Sequence, residues 1–257
     1  MNAISIMYHD VVADGDFRSS GFASDDADLY KIEMSSFDRH LEAIARASTT
    51  APTLVTAGLA DALFMTFDDG GHGAISQAAA ALEKRGWRGH FFVATDFIDT
   101  AAFLTSGDIR ELRRRGHVVG SHSASHPLRM AACSTEQIRE EWARSTARLA
   151  EILQEKITVA SIPGGMYSRE VAETAANAGI RTLFTSEPVT RIWNVSSCAV
   201  LGRYAMQRHT TAGVAAAIAR GDRGPRLSQY LLWNAKKIAK KAAGESYLRV
   251  RKRLLMK

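Results

Sequence analysis

The sequence predicts an α/β protein: a distorted or incomplete (β/α) barrel followed by a basic helical C-terminal tail. Three observations predict it. Short apolar runs that end in polar, glycine-containing loops alternate with helical patterns. The side chains best suited to chemistry fall at the ends of those runs, which face one mouth when parallel strands curl into a barrel. Positive charge is concentrated at one end of the chain. Residues 221–257 hold eleven Lys and Arg against Asp222 and Glu245, an excess of nine in a chain of net charge +6, which leaves −3 for the remainder.

In chain order, AISIMYH at 3–9 reads as a first strand. Its start carries neither the basic leader nor the long apolar stretch of a signal peptide, so none is expected. Residues 13–35, rich in Gly, Ser and Asp, read as an irregular excursion. ALFMTF at 62–67 is the next strand, then a helix over 74–85 closed by Gly86, a strand HFFVAT at 90–95, and a helix over 108–115 with Asp108 as N-cap and Gly116 beyond its end. HVVGSH at 117–122, a helix over 134–154 capped by Ser134, and ITVASIP at 157–163 continue the rhythm, and Gly179 sits where a C-cap belongs. With no repeat or linker before residue 221, one domain over 1–220 precedes a tail over 221–257. In the tail, Leu227, Tyr230, Leu231, Ile238 and Ala242 share one helical face, with Lys236, Lys237, Lys240 and Lys241 largely elsewhere.

A composition of 46% hydrophobic and 23% charged residues is that of a globular protein with a real core. No apolar run approaches the ~18 residues of a membrane-spanning helix. Cys133 and Cys198 are too few and too isolated for a disulfide framework or a zinc–thiolate site, and a reduced, cytoplasmic compartment is expected.

The candidate chemistry begins with Asp68 and Asp69, adjacent carboxylates directly after the 62–67 run and followed by Gly70 and Gly71. Each raises the cost of ionising the other, and the pair reads either as a turn or as a site where one carboxylate grips a metal and its neighbour takes a proton. His122 and His126 follow HVVG, and Pro127 disfavours helical geometry at His126. One carboxylate and two imidazoles form a set suited to Zn²⁺, Fe²⁺, Mn²⁺ or Co²⁺ with positions left for water and substrate.

On these residues the chain resembles the NodB-type polysaccharide deacetylases, carbohydrate esterase family four, over roughly residues 4–210. TFDDG, from Thr66 to Gly70, is similar to the family's first motif, and HSASH, from His122 to His126, to its second. The resemblance implies a barrel of the polysaccharide deacetylase type, with Asp68 as general base and Asp69, His122 and His126 as metal ligands. The family's third motif carries an arginine where this chain has Ser161, while Pro163 and Gly165 match, so only a backbone role carries over, with Gly164 N–H as oxyanion donor. Tyr167, just past the glycines, is assigned to the substrate groove. Arg203 is read as a surface residue, with service to the missing arginine's place as the alternative. LFTSEP at 183–188 lacks the family's fourth-motif cluster, and no clear fifth motif closes the domain. For the proton donor, His9 in IMYHD resembles the N-terminal Tyr-His of one branch of the family, with Tyr8 and Asp10 as structural neighbours or Asp10 as the group that orients the imidazole, and His209 is the competitor. His90 and His117, on the opposite face, read as structural, as do Trp87 and Trp142, while His72 is left between the mouth and solvent.

The implied function is a metal-dependent hydrolase, a carbohydrate N-deacetylase that removes an acetyl group from an N-acetylated sugar of a polysaccharide or its biosynthetic intermediate. Two alternatives stay open: a glycan-binding pseudoenzyme, and a hydrolase of O-acetyl, formyl or other small amide groups. The cofactor is one divalent ion, Zn²⁺ first, with Co²⁺, Mn²⁺, Fe²⁺ and Ni²⁺ as the others such a set takes. The expected partner is the carbohydrate. The tail adds either an anionic membrane surface or lipid-linked glycan at the inner membrane face, or only a helix packed on the barrel. Charge without a recognition motif implies no specific nucleic acid.

Overall fold

The computed structural model describes residues 1–235 and 237. After β1 (Ile4–Tyr8), the excursion contains β2 (Asp10–Val12), the one-turn helix α1 (Asp25–Asp28) and β3 (Lys31–Glu33), with β2 and β3 paired in a small sheet of their own. The excursion is therefore more ordered than its composition implied. Next come α2 (Met34–Ala47), β4 (Pro52–Thr53) and β5 (Leu63–Phe67). The helix expected at 74–85 opens as a π-helical turn, Ala74–Ala79, and continues as α3 (Ala80–Glu83). The alternating units are β6 (His90–Val93), α4 (Ser106–Arg114), β7 (Val118–Ser121), α5 (Thr135–Leu153), β8 (Val159–Ser161), α6 (Arg169–Asn177) and β9 (Thr182–Phe184). The remainder is β10 (Trp193–Val195), β11 (Cys198–Leu201), β12 (Tyr204–Ala205) and α7 (Ala212–Arg220), followed by helical residues 223–235.

Helix starts follow side-chain chemistry. Ser134 caps α5 in a reciprocal box with Gln137, as expected, whereas the N-cap of α4 is Thr105, and Asp108 is its box partner at the third helical position rather than the cap itself.

The expected distorted (β/α) barrel is present. The sheet runs β10-β11-β9-β8-β7-β6-β5-β1-β12, with β4 also on β5, and is parallel except between β10 and β11. Its two ends meet in one stretch of chain. Leu201 of β11 pairs with Phe184 of β9, and Tyr204, just beyond, pairs with Ile6 of β1, so residues 198–205 cross from one edge of the curled sheet to the other.

Strand alternation sorts the side chains into two cores. Outward positions such as Ile6, Tyr8, Met65, Phe67, Phe91 and Val119 join the large cluster under the helices. Inward positions form a smaller cluster in the lumen, including Phe64, Phe92, Val159, Phe184 and Leu201. Two residues further along the same inward rows lie Thr66, Ser161 and Arg203, and Asp68 follows Thr66 at the mouth. The floor of the site is thus a layer of aromatic rings.

Residues 223–235 dock on this body: the Gln229 amide accepts from Ala205 N–H at 3.1 Å and donates to Ala205 O at 3.0 Å. Leu227, Tyr230 and Leu231 are exposed. Lys236, Ile238, Lys240, Lys241 and Ala242 of the expected tail face lie outside the described residues. Among the described residues, no helix is long and apolar enough to cross a membrane.

Gly120 in β7 lets β8 approach: a Cβ there would lie 2.4 Å from Val159 O and 2.9 Å from the Phe92 ring. Gly120→Ala is expected to lower stability by about 1–3 kcal/mol through overpacking. Urea unfolding with an unchanged m-value is the check.

Candidate active site

The strand ends bring together what the sequence separates. His9, Asp68, Asp69, His122, His126 and Gly164 all line one cavity of about 650 Å³, a size within the usual range for small-molecule sites. Asp69 Oδ1 lies 3.3 Å from His126 Nε2 and 3.5 Å from His122 Nε2, and the three donor atoms fall within 4.8 Å of one another. Asp69 Oδ1 is buried with no hydrogen-bond partner at normal distance among the described residues. A carboxylate and two imidazoles aimed at one point, with a shielded oxygen facing it, fit a divalent ion.

A left-handed backbone at three residues aims this set. Asp69, Ser123 and His126 have φ of 71°, 63° and 57°, left-handed values that side chains other than glycine seldom adopt. The loop carrying the two histidines is tied down by Glu141 of α5, which accepts from the backbone N–H groups of Ala124 and Ser125 at 2.8 and 2.9 Å and from the Ser125 hydroxyl at 2.5 Å. Burial pushes the Asp69 carboxyl up, but its close contacts with the His122 and His126 imidazoles outweigh it and leave the group well below the usual carboxylate range. For His126 burial works downward, and the Asp69 contact and charge outweigh it, raising the imidazole.

Asp68 is held by different partners. Arg203 is fully buried and forks onto it, Nη1 to Oδ1 at 2.7 Å and Nη2 to Oδ2 at 2.8 Å. The guanidinium also donates to Thr185 O and Thr66 Oγ1 and lies near the Phe92 and Phe184 rings, so four of its five N–H groups have protein acceptors. The reading of Arg203 as a surface residue is therefore overturned. Its inward position follows from alternation with Leu201 across the crossing stretch, a signal available in the sequence. Ser161, in the arginine's place in the third motif, donates its hydroxyl to Asp68 Oδ1 at 3.1 Å and lies 2.6 Å from His122 Nδ1. With Nδ1 as donor to Ser161, the His122 Nε2 lone pair is free for a metal. Burial pushes the Asp68 carboxyl up, and the positive charge of Arg203, with His122 behind it, more than reverses this.

The two candidate acids separate in space. His9 follows Met7 on the inward row and lines the cavity with its ring 4.6 Å from that of Tyr30. Burial pushes its imidazole down, opposed by the charges of Asp69 and Asp68. His209 is exposed and is not among the cavity-lining residues. Asp10 does not orient His9: the His9 Nδ1 has no hydrogen-bond partner among the described residues, and the Asp10 carboxyl packs against Gly71 and Gly73, where a Cβ would come within 2.3 and 2.4 Å of its oxygens. Burial raises that carboxyl to about 6. Gly164, at φ 65°, lines the cavity, and none of the described residues accepts from its N–H. Tyr167 instead packs edge-on against Trp193, ring centres 5.4 Å apart, and its neighbour Met166 takes the place on the cavity wall. His90 and His117 are buried and accept from Val55 N–H and Gly89 N–H, as structural groups do, while His72 is exposed.

Residues 58–183 match the family model described as polysaccharide deacetylase, so the chain carries a segment similar to that family. The chain is 27% identical over 126 residues to YxkH of Bacillus subtilis, provisionally named a polysaccharide deacetylase, covering 49% of this chain and 45% of that one. An uncharacterised protein of Geobacillus stearothermophilus is 29% identical over 126 residues, covering 48% and 46%. The matched segment thus spans less than half of each curated relative. In fold, the chain is similar to IcaB from Ammonifex degensii, with TM-score 0.69 and 21% identity over 86% of this chain and 97% of that one. It is also similar to the Streptococcus pyogenes deacetylase PplD, solved in complex with acetate, with TM-score 0.68 and 18% identity over 82% and 95%.

Removing Arg203 strands a buried carboxylate. Arg203→Ala is expected to cost about 3–5 kcal/mol, and adding Asp68→Asn to recover part of the loss, because the charge left behind is what hurts. A double-mutant cycle by urea unfolding measures both. Because the native Asp68 ionises below its unfolded value, its contribution is complete above that value and disappears as the pH falls through the native one.

Proposed function

We propose that this protein is a metal-dependent deacetylase that hydrolyses the acetamido group of an N-acetylated sugar in a polysaccharide or its precursor. The observation that carries this reading is the convergence of Asp69, His122 and His126 beside Asp68, with Asp68 ionised by Arg203, on the wall of one cavity.

Asp69 and the Nε2 atoms of both histidines would hold the ion, Zn²⁺ being the first candidate for such a set. When bound, a divalent cation supplies Lewis acidity toward water and the amide carbonyl. Asp68 takes the proton from the attacking water. Arg203 and Ser161 fix the direction of its lone pairs, at some cost in basicity. Gly164 N–H donates to the oxygen that gains charge as the carbonyl becomes tetrahedral. His9 gives a proton to the departing nitrogen, since an amine does not leave as an anion. Its low proton affinity in the free site is opposed by both carboxylates, which favour the imidazolium.

Asp69→Ala, His122→Ala and His126→Ala are each expected to lose most bound metal, and Asp68→Asn to keep metal and lose turnover. Elemental analysis and acetate release from N-acetyl oligosaccharides decide it. Full metal occupancy in all three ligand variants would remove the triad, and zero turnover on a broad panel with stoichiometric metal would favour a glycan-binding role.

His9→Ala should bind metal normally yet lose roughly 10²-fold or more in turnover on an amide, the usual scale for a positioned acid. An ester with a phenolate leaving group should suffer much less, because it departs without a proton. His209→Ala is the control, and the proton donor is reassigned if the leaving-group dependence follows that variant instead.

We also propose that the C-terminal segment associates with anionic lipid. The exposed Leu227, Tyr230 and Leu231, together with the excess of nine positive charges over 221–257, support this. Removal of residues 238–257 is expected to weaken binding to phosphatidylglycerol vesicles at low salt. Equal binding by both forms in a sedimentation assay would reject the lipid partner.

A further inference from the structure

The helix over 223–235 is part of the cleft. Gln229, Leu232, Trp233 and Lys237 all line the cavity that holds the proposed metal set. Their spacing of three, four and eight residues puts them on one helical face. Gln229 fixes that face through its paired hydrogen bonds to Ala205, one turn before Trp233, and Lys237 reaches Glu187 at 3.2 Å one turn after it. Trp233 is half-buried, and its indole Nε1 is shielded from water with no hydrogen-bond partner among the described residues. A buried indole N–H normally finds an acceptor.

We infer that Trp233 forms a second sugar-binding subsite, so that the cleft takes an oligosaccharide rather than one isolated acetamido sugar. The inference rests on the carbohydrate reading of the site. A pyranose ring carries C–H groups on its faces and hydroxyls around its edge. An indole offers the complement to the C–H side of such a ring, a broad apolar face. The reacting acetamido group belongs at the strand ends, among Asp68, Asp69 and Gly164. A ring that contacts Trp233, on a helix beyond the last strand, is therefore an additional contact of the same substrate. Leu128 and Leu232 are exposed yet line the same cavity, which lets a longer chain run out past an apolar rim.

The test is titration calorimetry of the full-length, metal-free protein with N-acetylglucosamine oligomers of one to four sugars. Affinity for the wild-type protein is expected to rise about tenfold from the monomer to the longer oligomers, the scale of one aromatic contact. Trp233→Leu should flatten that rise, and Trp233→Phe, which keeps an aromatic face and loses the N–H, should fall between them. Thermal unfolding midpoints establish that each variant is folded. Length-independent binding by the wild type, or an unchanged length dependence in Trp233→Leu, overturns the proposal. The same oligomers with zinc-loaded protein separate it from the deacetylase reading. Length-dependent binding without acetate release ends the catalytic reading and keeps the subsite. Acetate release whose KM is indifferent to residue 233 ends the subsite alone.

Discussion

A guanidinium and a carboxylate bonded to each other where the barrel interior meets the cavity set the terms for this protein. Neither Arg203 nor Asp68 is tolerable in the barrel alone, since an isolated buried charge costs several kcal/mol even after relaxation. Each is acceptable because nearly every polar atom is matched: two parallel bonds between the pair, Thr185 O and Thr66 Oγ1 on the arginine, and Ser161 on the carboxylate. The aromatic floor of Phe92 and Phe184 contributes a weakly polar surface for the cation. Barrel closure therefore delivers the counter-charge of the proposed base, because Arg203 sits on the stretch that joins β9 to β1.

The neighbouring carboxylate answers to a different constraint. Asp69 departs from its strand with a left-handed backbone, which turns its side chain away from the row that Phe64, Thr66 and Asp68 share and toward His122 and His126. Adjacent residues thus serve different partners despite identical chemistry. The strain is offset nearby, where Glu141 gathers two backbone N–H groups and a hydroxyl from the histidine loop.

That Asp68, Asp69, His122 and His126 would converge was legible in the sequence because the residues lie in two short, chemically unusual stretches at strand ends. The strands themselves were legible because both faces are buried, so they read as continuous apolar runs such as LFMTF, with ends off by a residue or two. Arg203 was misread because its partner lies 135 positions away and its one local cue, alternation with Leu201, crosses a glycine-containing stretch that does not read as a strand. Asp108 was taken for a cap because Asp is good at both positions of a capping box, and only the fold selects Thr105. Tyr167 went astray for a related reason: one residue along an irregular segment changes the direction of a side chain, and Met166 faces the cavity instead. The place of Gln229 and Trp233 on the cavity wall was hidden in a segment whose charge and apolar stripe drew the reading toward a membrane surface.

The crossing stretch also sets an order of assembly. Synthesis proceeds from the N-terminus, and domains tend to fold as units once their chain is available. A nascent chain that has emerged only as far as β9 holds Asp68 and the whole proposed metal set, but not the cation that makes an ionised Asp68 tolerable in the interior. Closure must wait for residue 203, so the early barrel is left with an open seam between β9 and β1. The catalytic mouth is then the last part of the domain to reach its working state, and a chain cut short before that arginine retains both recognisable motifs without the means to bury them.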